Sequence, residues 1–367
     1  MRLPSPTPIK GEEFKNAELK ACLQLDPRKA SNYEKYLSYK RGEEVDFLPV
    51  RMDIETVSAC NFRCLMCTVS DWENGKRHGS MNFENFKTLV DQQYGLVEVK
   101  LTGLGEPLIQ GDQLFECIKY LRERRIWVRM VTNASLLHFN NNIAKLVKSD
   151  LNDLTISIDG GSKEVFESIR RGSNFERVAS NCKKLNTEYE KEGKQITKAW
   201  CCVQEENIEE LEAIVCLAAK CGFRQITFSI SLHGWGRDDL LESNRKRTAN
   251  NSETLDYKRI AKLIRSGAAQ GIEVTFWNVS DKYDSKNSST LCPWPFERVV
   301  ITSDMRFVPC CMIGNPDTFE VNSDGFLSSK SFRDVWFGTE YKKFREQHSE
   351  GRIPDVCKSC YNSKSDF

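Results

Sequence analysis

The sequence lacks a charge imbalance, a long apolar run and a hydrophobic amino-terminal segment. Its 53 lysines and arginines nearly cancel its 52 aspartates and glutamates, so the formal net charge is +1. Sequence-independent binding of nucleic acid needs a strong excess of basic residues, and we therefore do not expect a nucleic-acid partner. The longest apolar run, at residues 213–219, is far shorter than the ~20 residues of a membrane span. We expect a cytoplasmic protein with no membrane partner.

Strand-like runs alternate with helical patterns from residue 51 onward, which predicts βα units and a parallel sheet. The predicted strands are residues 52–57, 97–102, 126–132, 154–159, 196–204 and 225–231. Six such units predict an α/β fold with a partial (β/α)6 TIM-like barrel, whose reactive groups follow the carboxyl ends of the strands. Residues 236–254 are interpreted as a solvated loop, and residues 279–290 as a linker.

Cysteine is abundant for a cytoplasmic chain, at 15 residues of 367. Disulfides are rare in the cytoplasm, so clustered thiols there usually bind metal or take part in catalysis. Cys60, Cys64 and Cys67 directly follow the first predicted strand. Three thiolates can ligate three corners of a [4Fe–4S] cluster and leave the fourth iron open. A zinc knuckle or a closed electron-transfer cluster would need a fourth ligand, and the nearest histidine is His78.

The spacing Cys60-x3-Cys64-x2-Cys67 after a first strand resembles the radical S-adenosylmethionine (SAM) enzymes. Three later strand ends also resemble this family: residues 103–107 (GLGEP), a variant of its Gly-Gly-Glu motif, residues 131–133 (VTN) and residues 157–160 (SIDG). The resemblance implies that the open iron binds the methionine part of SAM. Reductive cleavage of SAM then gives a 5′-deoxyadenosyl radical, with the electron supplied by a reductase such as flavodoxin or ferredoxin.

The resemblance also implies which residues bind SAM. Met66, just before the last cysteine of the motif, is expected to pack against adenine. Gly105 and Glu106 are expected to hold the amino group of the methionine part. Ser157 and Asp159 are expected to meet the carboxylate or the ribose.

One further SAM contact is expected from the helix that follows the fourth predicted strand. Arg170 is a candidate partner for the SAM carboxylate, because a guanidinium binds a carboxylate through two parallel hydrogen bonds.

A second group of cysteines lies near the carboxyl end and comprises Cys292, Cys310, Cys357 and Cys360. Thiols this far apart meet only if the segment folds around a metal. The pattern resembles the SPASM/twitch domains of many radical SAM enzymes, with Met305 where an Asp-Gly turn is common. The resemblance implies one auxiliary [4Fe–4S] cluster held by these four thiolates. Cys311 could replace Cys310, and a four-cysteine zinc ribbon is the alternative.

Three segments are predicted from these patterns: an amino-terminal extension at residues 1–50, a radical SAM partial barrel at 51–280, and a small iron–sulfur SPASM/twitch-like domain at 281–367. The extension contains two weakly helical patches, at residues 12–23 and 31–39.

The substrate is not determined by the sequence. We expect hydrogen abstraction from a small polar alcohol of the sugar or aminocyclitol type, followed by a two-electron oxidation assisted by the auxiliary cluster. The alternative is epimerisation or crosslinking of a ribosomally made peptide, which would need a separate carrier protein. A non-catalytic iron–sulfur or zinc redox sensor is the alternative from another class. His233 and Cys311 are the candidate catalytic residues, for proton transfer and hydrogen donation.

Overall fold

A nine-stranded sheet forms the centre of the structure, a computed structural model that describes residues 3–249, 251–278, 282–319 and 330–361. The strands are β1 (Arg51–Ile54), β2 (Val57–Ala59), β3 (Arg63–Cys64), β4 (Lys76–Ser80), β5 (Glu98–Leu101), β6 (Trp127–Thr132), β7 (Asp153–Ser157), β8 (Arg170–Arg171), β9 (Thr197–Cys202), β10 (Gln225–Ser229), β11 (Glu273–Trp277), β12 (Arg298–Ile301) and β13 (Phe307–Val308).

The order of strands in the large sheet is β11-β10-β9-β7-β6-β5-β1-β12-β13. All neighbours are parallel except β12 and β13. The six predicted strands occur as β1, β5, β6, β7, β9 and β10, in chain order across the sheet. The predicted α/β architecture is therefore confirmed. Three strands of the large sheet were not predicted: β11 at one side of the six, and β12 and β13 at the other.

The helices cover the outer face of this sheet. They are α1 (Gly11–Gln24), α2 (Pro27–Ser38), α3 (Phe83–Gln92), α4 (Asp112–Glu123), α5 (Asn142–Lys148), α6 (Lys163–Ile169), α7 (Phe175–Lys191), α8 (Leu211–Lys220), α9 (Asp238–Arg247), α10 (Asn251–Thr254), α11 (Tyr257–Ala269), α12 (Trp294–Glu297), α13 (Phe332–Trp336) and α14 (Thr339–Ser349). Several begin at a polar cap, as where the Asn82 side chain accepts from the Asn85 amide at the start of α3.

The core lies between the strands and the helices. Met52 and Ile54 of β1 are buried, whereas Asp53 between them remains partly accessible. Since alternate strand residues face opposite sides, β1 turns its apolar side to the helices and a polar side to the barrel interior. Full burial of one such apolar side chain contributes about 1.5–3 kcal/mol. Within the described residues, no helix is long and apolar enough to cross a bilayer.

The carboxyl-terminal segment continues the barrel sheet, because β12 pairs in parallel with β1. Trp336 of α13 donates a hydrogen bond of 2.8 Å to the carbonyl of Phe47, at the end of the amino-terminal extension. The two helical patches predicted in that extension are confirmed as α1 and α2. The predicted boundary at residues 280–281 falls partly outside the described residues, and the three-segment division stays a prediction.

The prediction of a solvated loop at residues 236–254 is wrong, because α9 and α10 form there. The charged residues of α9 do face solvent, but Asn244 is fully buried. Its amide donates to the carbonyl of Met66 at 3.1 Å and to that of His233. Asn244 therefore ties α9 to the cysteine loop. A single buried asparagine of this kind cannot be recognised in a charge-rich sequence.

Candidate active site

The loop that carries Cys60, Cys64 and Cys67 is held by two short ribbons. In one, Cys64 of β3 is in antiparallel register with Arg170 of β8. In the other, β2 pairs with β4, and the Cys60 amide donates to the carbonyl of Gly75 at 3.0 Å. Backbone pairing therefore restrains the cysteine loop, as expected of a site built on rigid elements.

The three thiols share one partly accessible environment. Burial raises the pKa of Cys60 to about 12, and the charge of Glu106 acts in the same direction. Burial also raises the pKa values of Cys64 and Cys67. Arg170 opposes the shift at Cys64, whereas the neighbouring thiols add to the shift at Cys67. The free thiols are therefore protonated at neutral pH. Metal binding there would release protons, because the thiolate is the metal ligand.

The GLGEP loop lies against the start of the cysteine loop. A Cβ on Gly105 would stand 2.0 Å from the carbonyl oxygen of Val57, so this close approach requires glycine. The buried carboxylate of Glu106 accepts from the Thr132 hydroxyl at 2.6 Å and from the Asn133 amide at 2.7 Å. Burial raises the pKa of Glu106, and these donors oppose the shift. The Glu106 side chain thus fixes the loop, and its own acceptor atoms already have protein donors.

Asp159 and Arg170 form a buried ion pair of 2.6 Å. Asp159 also accepts from the Cys202 amide at 2.7 Å, and the Arg170 guanidinium lies 3.8 Å from the Cys64 sulfur. Burial raises the pKa of Asp159, whereas Arg170 opposes that shift. The structure therefore places both residues near the cysteine loop. They are predicted as SAM contacts, but in the structure they pair with each other. Ser157 lies at the carboxyl end of β7 and is partly accessible.

Met66 is buried beneath the segment that follows β10. Its carbonyl accepts from the Trp235 indole at 3.2 Å, and its sulfur lies 4.0 Å from the side-chain amide nitrogen of Gln204. The Gln204 side-chain oxygen is buried and has no hydrogen-bond partner among the described residues. Such an unpaired buried acceptor is unusual, and the Gln204 oxygen therefore indicates a missing donor beside Met66.

His233 lies in the same segment after β10. Burial lowers the pKa of His233 to about 4, so its ring is neutral at neutral pH.

The interior of the barrel carries a row of charged side chains. Asp53 is in register with Lys100, and Lys100 with Arg129. Asp153 is in register with Arg129 and forms a buried ion pair of 2.6 Å with Lys198. Asp53, Lys100 and Arg129 keep some accessibility, whereas Asp153 and Lys198 are buried. The barrel interior is therefore polar.

The carboxyl-terminal cysteines also come together. Burial raises the pKa of the Cys310 thiol, and the nearby Cys311, Cys357, Cys292 and Cys360 add to that shift. Burial raises the pKa of Cys311 to about 12; Asp53 and Cys360 add to that shift, and Lys100 and Arg298 oppose it. Cys310 is therefore near the other three cysteines, whereas Cys311 is near Cys360 and charged groups of the barrel interior.

Hydrogen bonds around Tyr361 hold this second group of cysteines. The Tyr361 hydroxyl accepts from the Cys292 amide at 3.0 Å and lies 2.9 Å from Nδ1 of His348. The carbonyl of Cys360 accepts from the amides of Lys282 and Tyr283, each at 3.1 Å. Met305 occupies the predicted turn with a positive φ of 63°, a conformation that glycine adopts more easily.

Neither cysteine group is arranged for a single metal ion. In the described part of the chain, no group of three or more His, Cys, Asp or Glu side chains could hold one. A tetrahedral zinc site needs its thiolates within one shell of about 2.3 Å radius. A four-iron cluster separates its thiolate ligands more widely than one ion does.

Two family models match the chain. One, described as the radical SAM superfamily, matches residues 54–218, and the other, described as an iron–sulfur cluster-binding domain (SPASM), matches residues 292–361. Residues 54–218 are thus a radical SAM domain, and residues 292–361 are a SPASM domain. These domains imply SAM, a SAM-binding [4Fe–4S] cluster and auxiliary iron–sulfur chemistry as its cofactors.

Individual relatives include the mycofactocin maturase MftC of Mycolicibacterium smegmatis, which is 25% identical over 326 residues, 88% of this chain and 77% of that protein. The structure of Streptococcus suis SuiB bound to precursor peptide SuiA matches with a TM-score of 0.61 at 15% identity, over 81% of this chain and 67% of that one. Native anSMEcpe with bound AdoMet and Cp18Cys peptide matches with a TM-score of 0.57 at 16% identity, over 85% and 86%. At these identities the two structural matches establish the fold.

Proposed function

We propose that this chain is a radical SAM enzyme that modifies a peptide substrate. The observation that carries the proposal is the similarity to a mycofactocin maturase, which extends through both domains over 88% of the chain. Two solved structures of similar fold contain peptides, SuiA and Cp18Cys. Oxidation of a small polar alcohol, the substrate class preferred from the sequence alone, has no comparable support and becomes an outcome of the test.

Cys60, Cys64 and Cys67 would hold the SAM-binding cluster, and their pre-positioned, partly accessible thiols fit that role. Bound there, the cluster and SAM supply a carbon radical that removes a hydrogen atom from the substrate. The protein must keep bulk water away from such a radical and hold the substrate close. The helix α9 and the segment carrying Trp235 would contribute to this enclosure, because both donate a hydrogen bond to the carbonyl of Met66 within the cysteine loop.

The residues around the cysteine loop fit SAM. Gln204 would accept from the adenine amino group, which supplies the donor that its buried oxygen lacks. Met66 would pack against the same ring. Gly105 lets the GLGEP backbone approach the methionine amino group, and Glu106 holds that backbone in place.

Ser157, at the carboxyl end of β7, would meet the carboxylate or ribose of SAM. Asp159 and Arg170 would act together, with Asp159 orienting the guanidinium toward the cysteine loop. Arg170 could then bind the SAM carboxylate through its Nε, which has no hydrogen-bond partner among the described residues.

Cys292, Cys310, Cys357 and Cys360 would hold one auxiliary cluster. The surroundings of the two neighbouring thiols favour Cys310 over Cys311 as the ligand, because the other three cysteines all influence the pKa of Cys310. Cys311, whose pKa is influenced by Asp53 and Lys100, would then face the barrel interior. It remains a candidate hydrogen donor for an epimerisation, and the neutral ring of His233 a candidate proton acceptor.

The test combines anaerobic reconstitution with a substrate panel. The protein is incubated with SAM, dithionite and either peptides encoded beside its gene or small polyols, and 5′-deoxyadenosine is quantified by chromatography. We expect 5′-deoxyadenosine in proportion to peptide product, with a mass change of minus two hydrogens for a crosslink or one deuterium gained in D2O for an epimerisation. Product from a polyol alone would contradict the peptide proposal. Full iron content without 5′-deoxyadenosine would indicate the non-catalytic sensor.

A further inference from the structure

A buried polar network lies where three parts of the chain meet. We call it the Glu55 network, and its members are Glu55, Ser58, Arg77, Ser303 and Asp304. The Glu55 and Arg77 side chains are almost completely buried, with 2% and 7% exposed. Buried ionic groups are costly unless every member is paired, so their position between elements needs an explanation.

The first part is the barrel. Glu55 directly follows β1, and its carboxylate accepts from the backbone amide of Leu104 at 2.9 Å. Leu104 is the second residue of the GLGEP loop. A Cβ on Gly103 would stand 2.4 Å from the Glu55 side chain, so the loop backbone rests directly on that carboxylate. A shift of the Glu55 side chain therefore moves the GLGEP loop.

The second part is the ribbon that carries the cysteine loop. Arg77 lies on β4, and its guanidinium contacts the Glu55 carboxylate at 3.2 Å and the Ser58 hydroxyl at 2.9 Å. Ser58 lies on β2 opposite that strand and also hydrogen-bonds to Glu55. Both elements that flank the three cysteines thus converge on one carboxylate.

The third part is the carboxyl-terminal domain. Asp304, in the turn between β12 and β13, makes two hydrogen bonds to Arg77, at 2.7 and 2.8 Å. Its neighbour Ser303 lies 2.6 Å from the Ser58 hydroxyl, and the Ser303 amide donates to Glu55. The same turn leads through β13 to Cys310. It therefore moves with the group of cysteines assigned to the auxiliary cluster.

We propose that Glu55 is a positioning residue for SAM and that the Arg77–Asp304 ion pair lets the carboxyl-terminal domain set its position. The domain would thereby control how well the GLGEP loop binds the amino group of SAM. The inference rests on the proposed role of the GLGEP loop, and it is independent of the substrate.

The physical reason is that the network is closed. Arg77 is held by Glu55 on one side and by Asp304 on the other, so loss of the Asp304 charge leaves the buried guanidinium with Glu55 alone. The attraction between Arg77 and Glu55 then becomes stronger, because Coulomb interactions are large in a buried region of low dielectric. The Glu55 carboxylate loosens its hold on the Leu104 amide, and the loop loses its fixed position.

The experiment measures SAM binding without turnover. Wild type, Asp304→Asn and the matched control Glu350→Gln are reconstituted anaerobically, and the SAM dissociation constant is measured by equilibrium dialysis with no reductant present. Glu350 also pairs with an arginine of the carboxyl-terminal domain, Arg352, and this pair is separate from the Glu55 network. We expect Asp304→Asn to weaken SAM binding at least fivefold with iron content unchanged, and Glu350→Gln to leave it within twofold of wild type.

Two further variants keep the test decisive if Asp304→Asn folds poorly. Ser303→Ala removes one hydroxyl contact and should weaken SAM binding about two- to threefold. Glu55→Gln should weaken it, and adding Asp304→Asn to Glu55→Gln should produce less than the product of the two separate effects. Unchanged SAM binding in Asp304→Asn and Ser303→Ala, or strictly multiplicative effects, would overturn the inference.

Gly105→Ala separates failure of this inference from failure of the proposed SAM site. A methyl group there must displace the loop from Val57, so SAM binding should be lost while the irons remain. Normal binding by Gly105→Ala would overturn both the loop assignment and the inference. Loss of binding in Gly105→Ala together with unchanged binding in Asp304→Asn would overturn only the control by the carboxyl-terminal domain.

Discussion

The two cysteine groups of this chain are built in opposite ways. The first is compact in sequence and is fixed by the barrel, because β2 and β3 pair with strands on either side of its cysteines. The second is spread from Cys292 to Cys360, and its last two cysteines lie on a 3₁₀ segment, Asp355–Cys360, that has no buried residue. A site that reacts with a cofactor needs geometry independent of the metal, whereas a closed site can take part of its stability from the metal.

The largest effect is expected when the first group of cysteines is removed. Replacement of Cys60, Cys64 and Cys67 together by alanine should abolish 5′-deoxyadenosine formation and reduce the iron content from about eight to about four atoms per chain. The melting temperature should change little, because the ribbons hold the loop without metal. Iron analysis, chromatography and a thermal melt check this. A large loss of stability would show that the two groups are built alike.

The next largest effect is expected when two cysteines of the second group are removed. Cys357→Ala with Cys360→Ala should also remove about four irons, but here the carboxyl-terminal domain should become sensitive to proteolysis and melt at lower temperature. The reason is that metal binding and folding are coupled where thiols far apart in sequence converge. Cys216→Ala, a cysteine of neither group, is the control and should retain all the iron. An unchanged protease pattern in the double variant would contradict the comparison.

A smaller effect sharpens the description of the first group. Asp159→Asn leaves the Arg170 charge buried without its partner, and breaking such a pair costs about 3–5 kcal/mol. The free energy of unfolding should fall by several kcal/mol in denaturant titrations, and SAM binding should weaken as Arg170 loses its orientation. Glu242→Gln, which removes one partner of the exposed pair with Lys246, should produce no measurable change. Equal behaviour of the two variants would show that the buried pair is not structural.

The smallest effect concerns pH and the second group. Burial lowers the pKa of His348 to about 4 from an ordinary 6.5, so its neutral form is favoured in the folded chain. The stability that this provides is present above pH 6.5 and is lost as the pH falls toward 4. His348→Gln should flatten the pH dependence of the melting temperature in this window. A pH profile identical to that of wild type would exclude His348 as its source.

The six barrel strands and both cysteine groups could be predicted because they depend on local patterns. The isolated buried anchors could not. Asn244 lies in a charge-rich segment, and nothing in its neighbours distinguishes it from an exposed asparagine. The short strand β12 is recognisable only from its pairing with β1, about 250 residues earlier in the chain.

Long-range pairing also limited the prediction of SAM contacts. Arg170 is predicted to bind the SAM carboxylate, but in the structure it is paired with Asp159. The reason is that a buried guanidinium needs a partner. Glu55 and Arg77 carried no motif, and their connection to the GLGEP loop follows from contacts between distant segments. A resemblance identifies the residues near a cofactor, whereas the fold decides which of them already have partners.

The central claim is that three cysteines leave one iron free to bind SAM. The most direct test uses the Cys357→Ala/Cys360→Ala variant, in which only the first cluster remains, and electron–nuclear double resonance on the reduced protein with SAM labelled by 15N at its amino group. We predict a hyperfine coupling from the label to the cluster. A fully loaded cluster that shows no such coupling, with a protein side chain on its fourth iron instead, would contradict the account.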